Sequence, residues 1–589
     1  MIMKLLKMLM TGSVIFCLSS CLNDIDESGF TPVEPKISFD KQTENVANTA
    51  STVTLNLTSN LPWRISSDAA WATLSQSYGD ESTEITVTIA KNRLREERIA
   101  NITAYVTPDS KTTFVLSQAA AEASEPITYY VKANGDGIST GETWETATTL
   151  ATALSLAGDG DTILLGAGQY SPVALLTGAK GDDECEKTFE IHSNFAIIGG
   201  YPADATTGAE CDPAANETIL SGDLGNGKAA YHVLAVTSAP VSGQKAQLKN
   251  LTITGGSGKT VAGTFTSGLE QAYGGAMIVA KKAVVDLENC TIKENRAFHA
   301  AGAYLCQGSI VTYKDCTFSN NEAMHNAGAI WNVGSTLTMY DCTIKNNISG
   351  QQASGLYSID ETYEYVSVNR IYNCSFYGND NTKTMEKRSG AGAYIRAYSD
   401  AIFVNCTFTE NKAGWGAGIA LHGQNSSKIA DCTVINCTIT GNSANNAGGA
   451  ISLYNTNVSL KVYNSILTGN TGPGGPEDIG FNSGTEAQVT VKSSIRSGAV
   501  IGYEGTTISG AFDPTTMLGT FGLYGAGKTM CYPLIDMPAN PAIANGMTVE
   551  QLKEMVAGAN PAVDESYLFA DQTGASRTGA SSMGACMVK

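Results

Sequence analysis

Apolar and polar positions alternate along this chain in short runs, and no long run carries a helical period. VTLNLTS from Val53, EITVTIA from Glu84, ANITAYVT from Ala100 and TTFVLSQ from Thr112 all have period two. Strands of this kind, punctuated by turns, predict a small β-sandwich over residues 36–120. Trp63 alternates with Ile65 and belongs to its core, and Trp71 is read the same way.

Beyond residue 126 the strands shorten and begin to repeat. NCTIKEN starts at Asn289, DCTFSNN at Asp315, DCTIKNN at Asp341, NCSFYGN at Asn373, NCTFTEN at Asn405 and NCTITGN at Asn436, with weaker copies at Asn250 and Asn464. The cysteines Cys290, Cys316, Cys342, Cys374, Cys406 and Cys437 therefore hold one equivalent position, spaced 26, 26, 32, 32 and 31 residues apart. A catalytic or metal site occurs once or twice in a chain, so a motif repeated this often is structural. Short strands with Gly and Asn turns at such a period predict a β-solenoid whose coils stack about 4.8 Å apart. The cysteines form an inward column of small apolar side chains. They are not expected to bridge one another, because stacked Cβ atoms lie beyond the roughly 3.5–4.5 Å a disulfide prefers. Asn295, Asn321, Asn347, Asn379, Asn411 and Asn442 form a second column at a bend, where amides can bond one another and the turn backbone.

The solenoid is expected over residues 127–530 and needs caps, because open ends expose apolar core and strand edges. The opening, where TATTLATALSLA is a short helix, resembles the entry cap of surface β-helix proteins, and 531–589 resembles their closing segment. The fold class is all-β. Of the remaining cysteines, Cys185 with Cys211 and Cys531 with Cys586 are the candidate disulfides, and Cys306 and Cys432 are left buried.

These repeats resemble the right-handed parallel β-helix family, the pectate-lyase-like superfold. Gly449-Ala450-Ile451 and Phe318-Ser319-Asn320-Asn321 match the two elements of polymorphic outer-membrane repeats. The resemblance implies the fold, and the fold hosts lyases, hydrolases and adhesins alike. Upstream, Leu61-Pro62-Trp63-Arg64-Ile65, Trp71, ITVTIAKN and Leu116-Ser117-Gln118 resemble a BACON domain. That resemblance implies an N-terminal module of a Bacteroidetes surface protein, and the plainest role for it is a spacer.

The first residues, MIMKLLKMLMTGSVIFCLSSC, place Lys4 and Lys7 before an apolar run too short to span a bilayer as a stable anchor. They read as a signal peptide over 1–20, and Leu18-Ser19-Ser20-Cys21 resembles a lipoprotein box, which implies lipidation of Cys21. The acidic residues after it, in a tether over 21–35, resemble the surface-export signal of Bacteroidetes lipoproteins. A second linker covers 121–126. The implied location is the outer face of the outer membrane. A net charge of −19 disfavours nucleic acid as a partner. A monomer is expected.

The polar residues outside the repeat supply the site candidates. His299 and His325 sit at successive turns and are expected to be exposed. With Trp331, Tyr394 and Trp415 they are candidate glycan contacts, because rings with polar neighbours suit the C–H faces and hydroxyls of sugars. Loops on a regular scaffold are where such contacts concentrate. Arg396 could act as the base of a lyase, with Asp360 and Glu361 as Ca²⁺ ligands and His422 as a further catalytic candidate. No lyase signature, zinc-binding sequence or nucleophile elbow is present, and no cofactor or metal is otherwise expected. The preferred reading is a surface lipoprotein that binds an extracellular polysaccharide or host glycan through the side of the helix. The alternatives are a polysaccharide lyase or glycoside hydrolase on the same scaffold, or a protein-binding adhesin.

Overall fold

The computed structural model describes residues 33–588 except 70, 93–96, 121–125, 138, 140, 182, 361, 363, 383–388, 425–428, 484 and 578–581. The chain divides into two compact units, one ending at Glu122 and the other starting at Ala123. The signal peptide, Cys21, most of the 21–35 tether and nearly all of the 121–126 linker lie outside the described residues.

The first unit pairs Ile37–Phe39, Ser51–Ser59, Thr83–Ile89 and Ala72–Leu74 in one sheet. Thr43–Val46, Ser110–Gln118, Arg98–Thr107, Trp63–Ser67 and Tyr78–Gly79 form the other. Alternate residues of both, including Leu55, Leu57, Ile85, Val87, Ile102 and Phe114, are fully buried between them. Trp63 is buried and donates its indole N–H to the Glu81 carbonyl at 2.9 Å. Trp71 is buried beneath the Arg98 guanidinium, 4.3 Å from its ring.

The second unit opens with the strand Thr128–Val131 and the helix Leu150–Leu156, whose Thr149 side chain caps its N-terminus. Three long sheets follow, of ten, twelve and thirteen strands among the described residues, and pairing between successive coils is parallel. Phe376 and Phe408 stack inside at 4.6 Å, showing how like residues meet between coils. Each coil turns sharply at left-handed corners. The residue before the repeat cysteine is one of them: Asn289, Asp315, Asp341, Asn373, Asn405 and Asn436, together with Asn464 before Ser465 in the next coil, all have φ between 50 and 54°. Asn and Asp tolerate this region best among side-chain-bearing residues, which explains their place in the repeat. The recurrent glycine has a different cause. A Cβ on Gly302 would stand 2.3 Å from the Ala329 carbonyl oxygen of the next coil.

The six repeat cysteines are buried thiols, each with its sulfur near a backbone carbonyl; Cys316 lies 3.3 Å from the oxygen of Lys314. Burial pushes the Cys316 and Cys342 thiols well above their ordinary range. Both should therefore react slowly with a thiol reagent in the native state and quickly in denaturant. Cys316→Ala should cost about 1–2 kcal/mol through lost packing, read as a shift in denaturation midpoint. A bridge between consecutive repeat cysteines found by mass spectrometry would overturn this arrangement.

The asparagine column is a continuous amide ladder. Asn295 donates to Asn321 at 3.0 Å, and the pattern runs through Asn347, Asn379, Asn411 and Asn442 to Asn470. It ends on Asp478, whose carboxylate accepts from Asn470 Nδ2 at 2.7 Å and from the Ser497 amide at 2.8 Å. A ladder of amides has a spare acceptor at one end and a spare donor at the other, and a carboxylate satisfies the donor end.

Two expectations need correction. Cys531 and Cys586 are joined, but Cys185 and Cys211 are free. Cys185 packs with Leu176, Tyr231 and Phe265, whereas Cys211 lies against the Gly199 carbonyl and Asn250 on a different part of the coil. The parallel coils also stop before residue 530. Ser494–Arg496 is the last parallel strand of its sheet, and Ala499–Ile501 and Thr507–Ala511 continue it antiparallel. The segment that follows runs back along the outside of the helix. Tyr567 stacks on Tyr340 and packs against Tyr372, and Gln572 bonds Thr407 and Ser375. It buries the aromatic edge of several coils as well as closing the end.

Candidate functional site

The ten-stranded sheet gathers the candidates read from sequence. Register sets Tyr304, Trp331, Tyr357 and Tyr394 in one outward column, and Arg396, His422 and Tyr454 in the next. Successive ring centroids lie 5.6, 5.0 and 5.5 Å apart. The column is not an open platform, however. Trp331 is only 5% exposed and Tyr394 only 4%, because neighbouring rings and turns cover them. His299, expected at the surface, is also buried, wedged against Tyr273, Trp331 and His325. Burial pulls it down to about 4, with His325 adding to the effect. His325 and Trp415 are half-buried.

The Arg396 guanidinium donates to the Tyr357 hydroxyl at 2.8 Å. The Tyr394 hydroxyl and His422 Nδ1 lie 2.5 Å apart. Burial, then Arg396, lowers His422 to about 4, so it is neutral at physiological pH. Asp360 does not fit the role of metal ligand. It is fully buried, and its oxygens accept from the amides of Thr362, Glu364 and Tyr365, which fastens its own loop. Glu361 lies outside the described residues. Among the described residues, no group of three or more His, Cys, Asp or Glu is arranged to hold a metal ion. This face is a packed aromatic rib with polar tips.

An open groove of about 660 Å³ lies elsewhere, at the corner beside the thirteen-stranded sheet. Its floor is the left-handed corner column: Asn250, Asn289, Asp315 and Asp341, one per coil, beside Thr317 and Thr343. Lys249, Glu288 and Lys528 form its rim. Asn289 donates to Asn250 at 2.9 Å, and Asn373 donates to Asp341 at 3.1 Å. Between these two pairs the amide pattern breaks. Asp315 and Asp341 are carboxylates in adjacent coils, with the Asp315 amide bonded to the Tyr340 carbonyl at 3.0 Å.

The two acids differ in environment. Asp315 Oδ2 is paired with the Lys528 ammonium, brought there by the returning C-terminal segment. Its Oδ1 is buried without a hydrogen-bond partner. Burial raises Asp341 above the ordinary carboxylate range, and Asp315 pushes the same way, against the bond from Asn373. Two carboxyl groups in adjacent coils with unlike surroundings are the setting in which an acid–base pair arises. Sequence reasoning missed both because they occupy a repeat position. The signal was available: from Asn250 to Asn464 the column is asparagine in the other six coils, at 250, 289, 373, 405, 436 and 464.

The parallel coils agree with the family model that matches this part of the chain. Residues 235–351 and 323–494 match the family model "Right handed beta helix region", and residues 61–119 match the BACON model, described as "Putative binding domain, N-terminal". The protein thus carries a BACON domain followed by a right-handed β-helix. It is similar to the crystal structure of pectate lyase Pel9A, with 13% identity over 63% of this chain and 80% of that one, TM-score 0.39. It is also similar to a rhamnogalacturonan lyase, with 14% identity over 62% of this chain and 87% of that one, TM-score 0.39. A third similarity, to a Bacteroides ovatus GH5 xyloglucanase in complex with a XXXG heptasaccharide, has 15% identity over 28% of this chain and 37% of that one, TM-score 0.14. None of the curated proteins matches the chain.

Proposed function

We propose that the protein binds an extracellular polysaccharide or host glycan along the side of its β-helix, in the groove floored by Asn250, Asn289, Asp315 and Asp341. The observation that carries this reading is the groove itself: one amide or carboxylate per coil over four coils, with the Thr317 and Thr343 hydroxyls beside them, around about 660 Å³ of open space. Such a surface offers donors and acceptors at a regular spacing, which suits a chain of hydroxyl-bearing rings. Its charges nearly cancel, with Glu288, Asp315 and Asp341 against Lys249 and Lys528, so the ligand is a neutral glycan. Gel retardation of the full chain across a neutral glycan panel tests this. Asn289→Ala with Asp315→Ala should weaken binding at least about tenfold. Retardation by no glycan, or retardation indifferent to both changes, would remove the groove from consideration.

A second reading is favoured by the unlike environments of Asp315 and Asp341. Asp341, whose proton affinity burial raises, beside an Asp315 paired with Lys528 would supply the acid and the base or nucleophile of glycoside hydrolysis. Release of reducing ends from a retarded glycan would establish it.

The proposal includes attachment to the outer face of the outer membrane through a lipid on Cys21. Cys21→Ala should move the protein from the membrane fraction to the soluble one, and protease shaving of intact cells should remove the wild type. Unchanged membrane association would sink the lipid, and resistance to shaving would sink the surface location.

A further inference from the structure

The BACON unit carries a second array that the groove does not use. Trp63–Ser67 pairs with Tyr78–Gly79 on one side and with Arg98–Thr107 on the other, and the latter pairs with Ser110–Gln118. The register sets Tyr78 opposite Arg64, Arg64 opposite Tyr105, and Tyr105 opposite Lys111. Cross-strand partners project from the same face of a sheet. A row of tyrosine, arginine, tyrosine and lysine therefore crosses four strands on the solvent side, since Trp63 and Ile65 point inward. Tyr78 is 72% exposed and Tyr105 38%, which is unusual for rings of this size, and Arg64 and Lys111 are both exposed.

Neither cation is used by the fold: among the described residues, Arg64 and Lys111 make no side-chain hydrogen bond, ion pair or ring contact. Pro62, Trp63, Arg64, Tyr78, Gly79, Tyr105 and Val106 enclose a cleft of about 360 Å³. The Trp63 ring reaches it because position 79 has no side chain; a Cβ there would stand 2.5 Å from Cζ2 of that ring.

We propose that this row binds an acidic polysaccharide, one whose sugar rings carry carboxylates. Two unpaired cations on a chain of net charge −19 call for an anion. The planar Arg64 fork matches a carboxylate bidentately, and the flanking phenols present flat faces and hydroxyls to the ring that bears it. Alternation of ring and cation across successive strands suits a polymer whose units repeat both features. This site is separate from the groove and differs from it in ligand charge.

The test is gel retardation of the full chain in polygalacturonate, in its methyl ester, and in polyglutamate, with increasing salt. Polygalacturonate should retard the wild type, the methyl ester should not, and retardation should fall as salt rises. Arg64→Ala with Lys111→Ala, and separately Tyr78→Ala with Tyr105→Ala, should each weaken binding at least about tenfold with an unchanged denaturation midpoint. Asn289→Ala with Asp315→Ala should leave it intact, which separates this site from the groove. Equal retardation by the methyl ester, no effect of the cation pair, or polyglutamate binding that ignores the tyrosine pair would each overturn the proposal.

Discussion

Asn379→Ala should lower the stability of the β-helix by about 3–5 kcal/mol, among the largest effects of any single side chain in the repeat. Its side chain is fully buried and has four partners. Oδ1 accepts from the Asn347 amide at 3.1 Å and from Asn347 Nδ2 at 3.0 Å. Nδ2 donates to the Ile344 carbonyl at 2.9 Å and to Asn411 Oδ1 at 3.0 Å. Truncation strands two donors of the neighbouring coil in a place water does not reach, at about 1–3 kcal/mol each, and removes packing besides. Asn379→Asp should be no milder. A carboxylate keeps both acceptors, but it would face Asn411 Oδ1 with no hydrogen to offer. Aspartate is tolerated only at Asp478, where no further amide follows and the Ser497 amide satisfies the second oxygen. Denaturant melts of the full chain check this, and a loss below about 1 kcal/mol would show that the ladder bonds are replaced on mutation.

The same residues show what the sequence makes legible. A column is visible wherever one residue type recurs in phase, so the Asn and Cys columns can be read from spacing alone. Asp478 cannot, because it lies only 8 residues beyond Asn470, inside a loop that breaks the period. Periodicity also gives the outward phase of Trp331 and Tyr394 but not what lies over them. Their burial depends on neighbouring turns and rings, such as Tyr273 stacked on Trp331 at 5.7 Å. The contacts of the C-terminal segment were the least accessible: Gln572 meets Thr407 across 165 residues, and no local pattern encodes that. Asp315 and Asp341 were visible but were absorbed into the repeat. A departure from a column carries more functional information than the column itself.

That departure leads to a variant in which stability and function should move apart. Asp341→Asn restores the amide pattern: its Oδ1 still accepts from Asn373, and its new Nδ2 can donate to the buried, unpartnered Asp315 Oδ1. It also removes a carboxylate whose proton affinity is raised by burial and by Asp315. The sign follows from that direction. The folded state binds the Asp341 proton more tightly than the unfolded chain, so wild-type stability falls as pH rises from about 4, the unfolded carboxylate range, through the raised folded value. Below that window Asp341 carries its proton and mimics asparagine, and the two proteins should melt alike. Above it the variant should be more stable by about 1 kcal/mol, a figure discounted for the partial exposure of the side chain. Glycan retardation should survive, since asparagine keeps the hydrogen-bonding capacity of the groove. Reducing-end release, if the wild type shows it, should fall by about 10²-fold or more, because asparagine has no proton to give to a leaving group. A variant that is less stable at neutral pH would show that the two carboxylates support the coil, and the functional reading of the pair would fail with it.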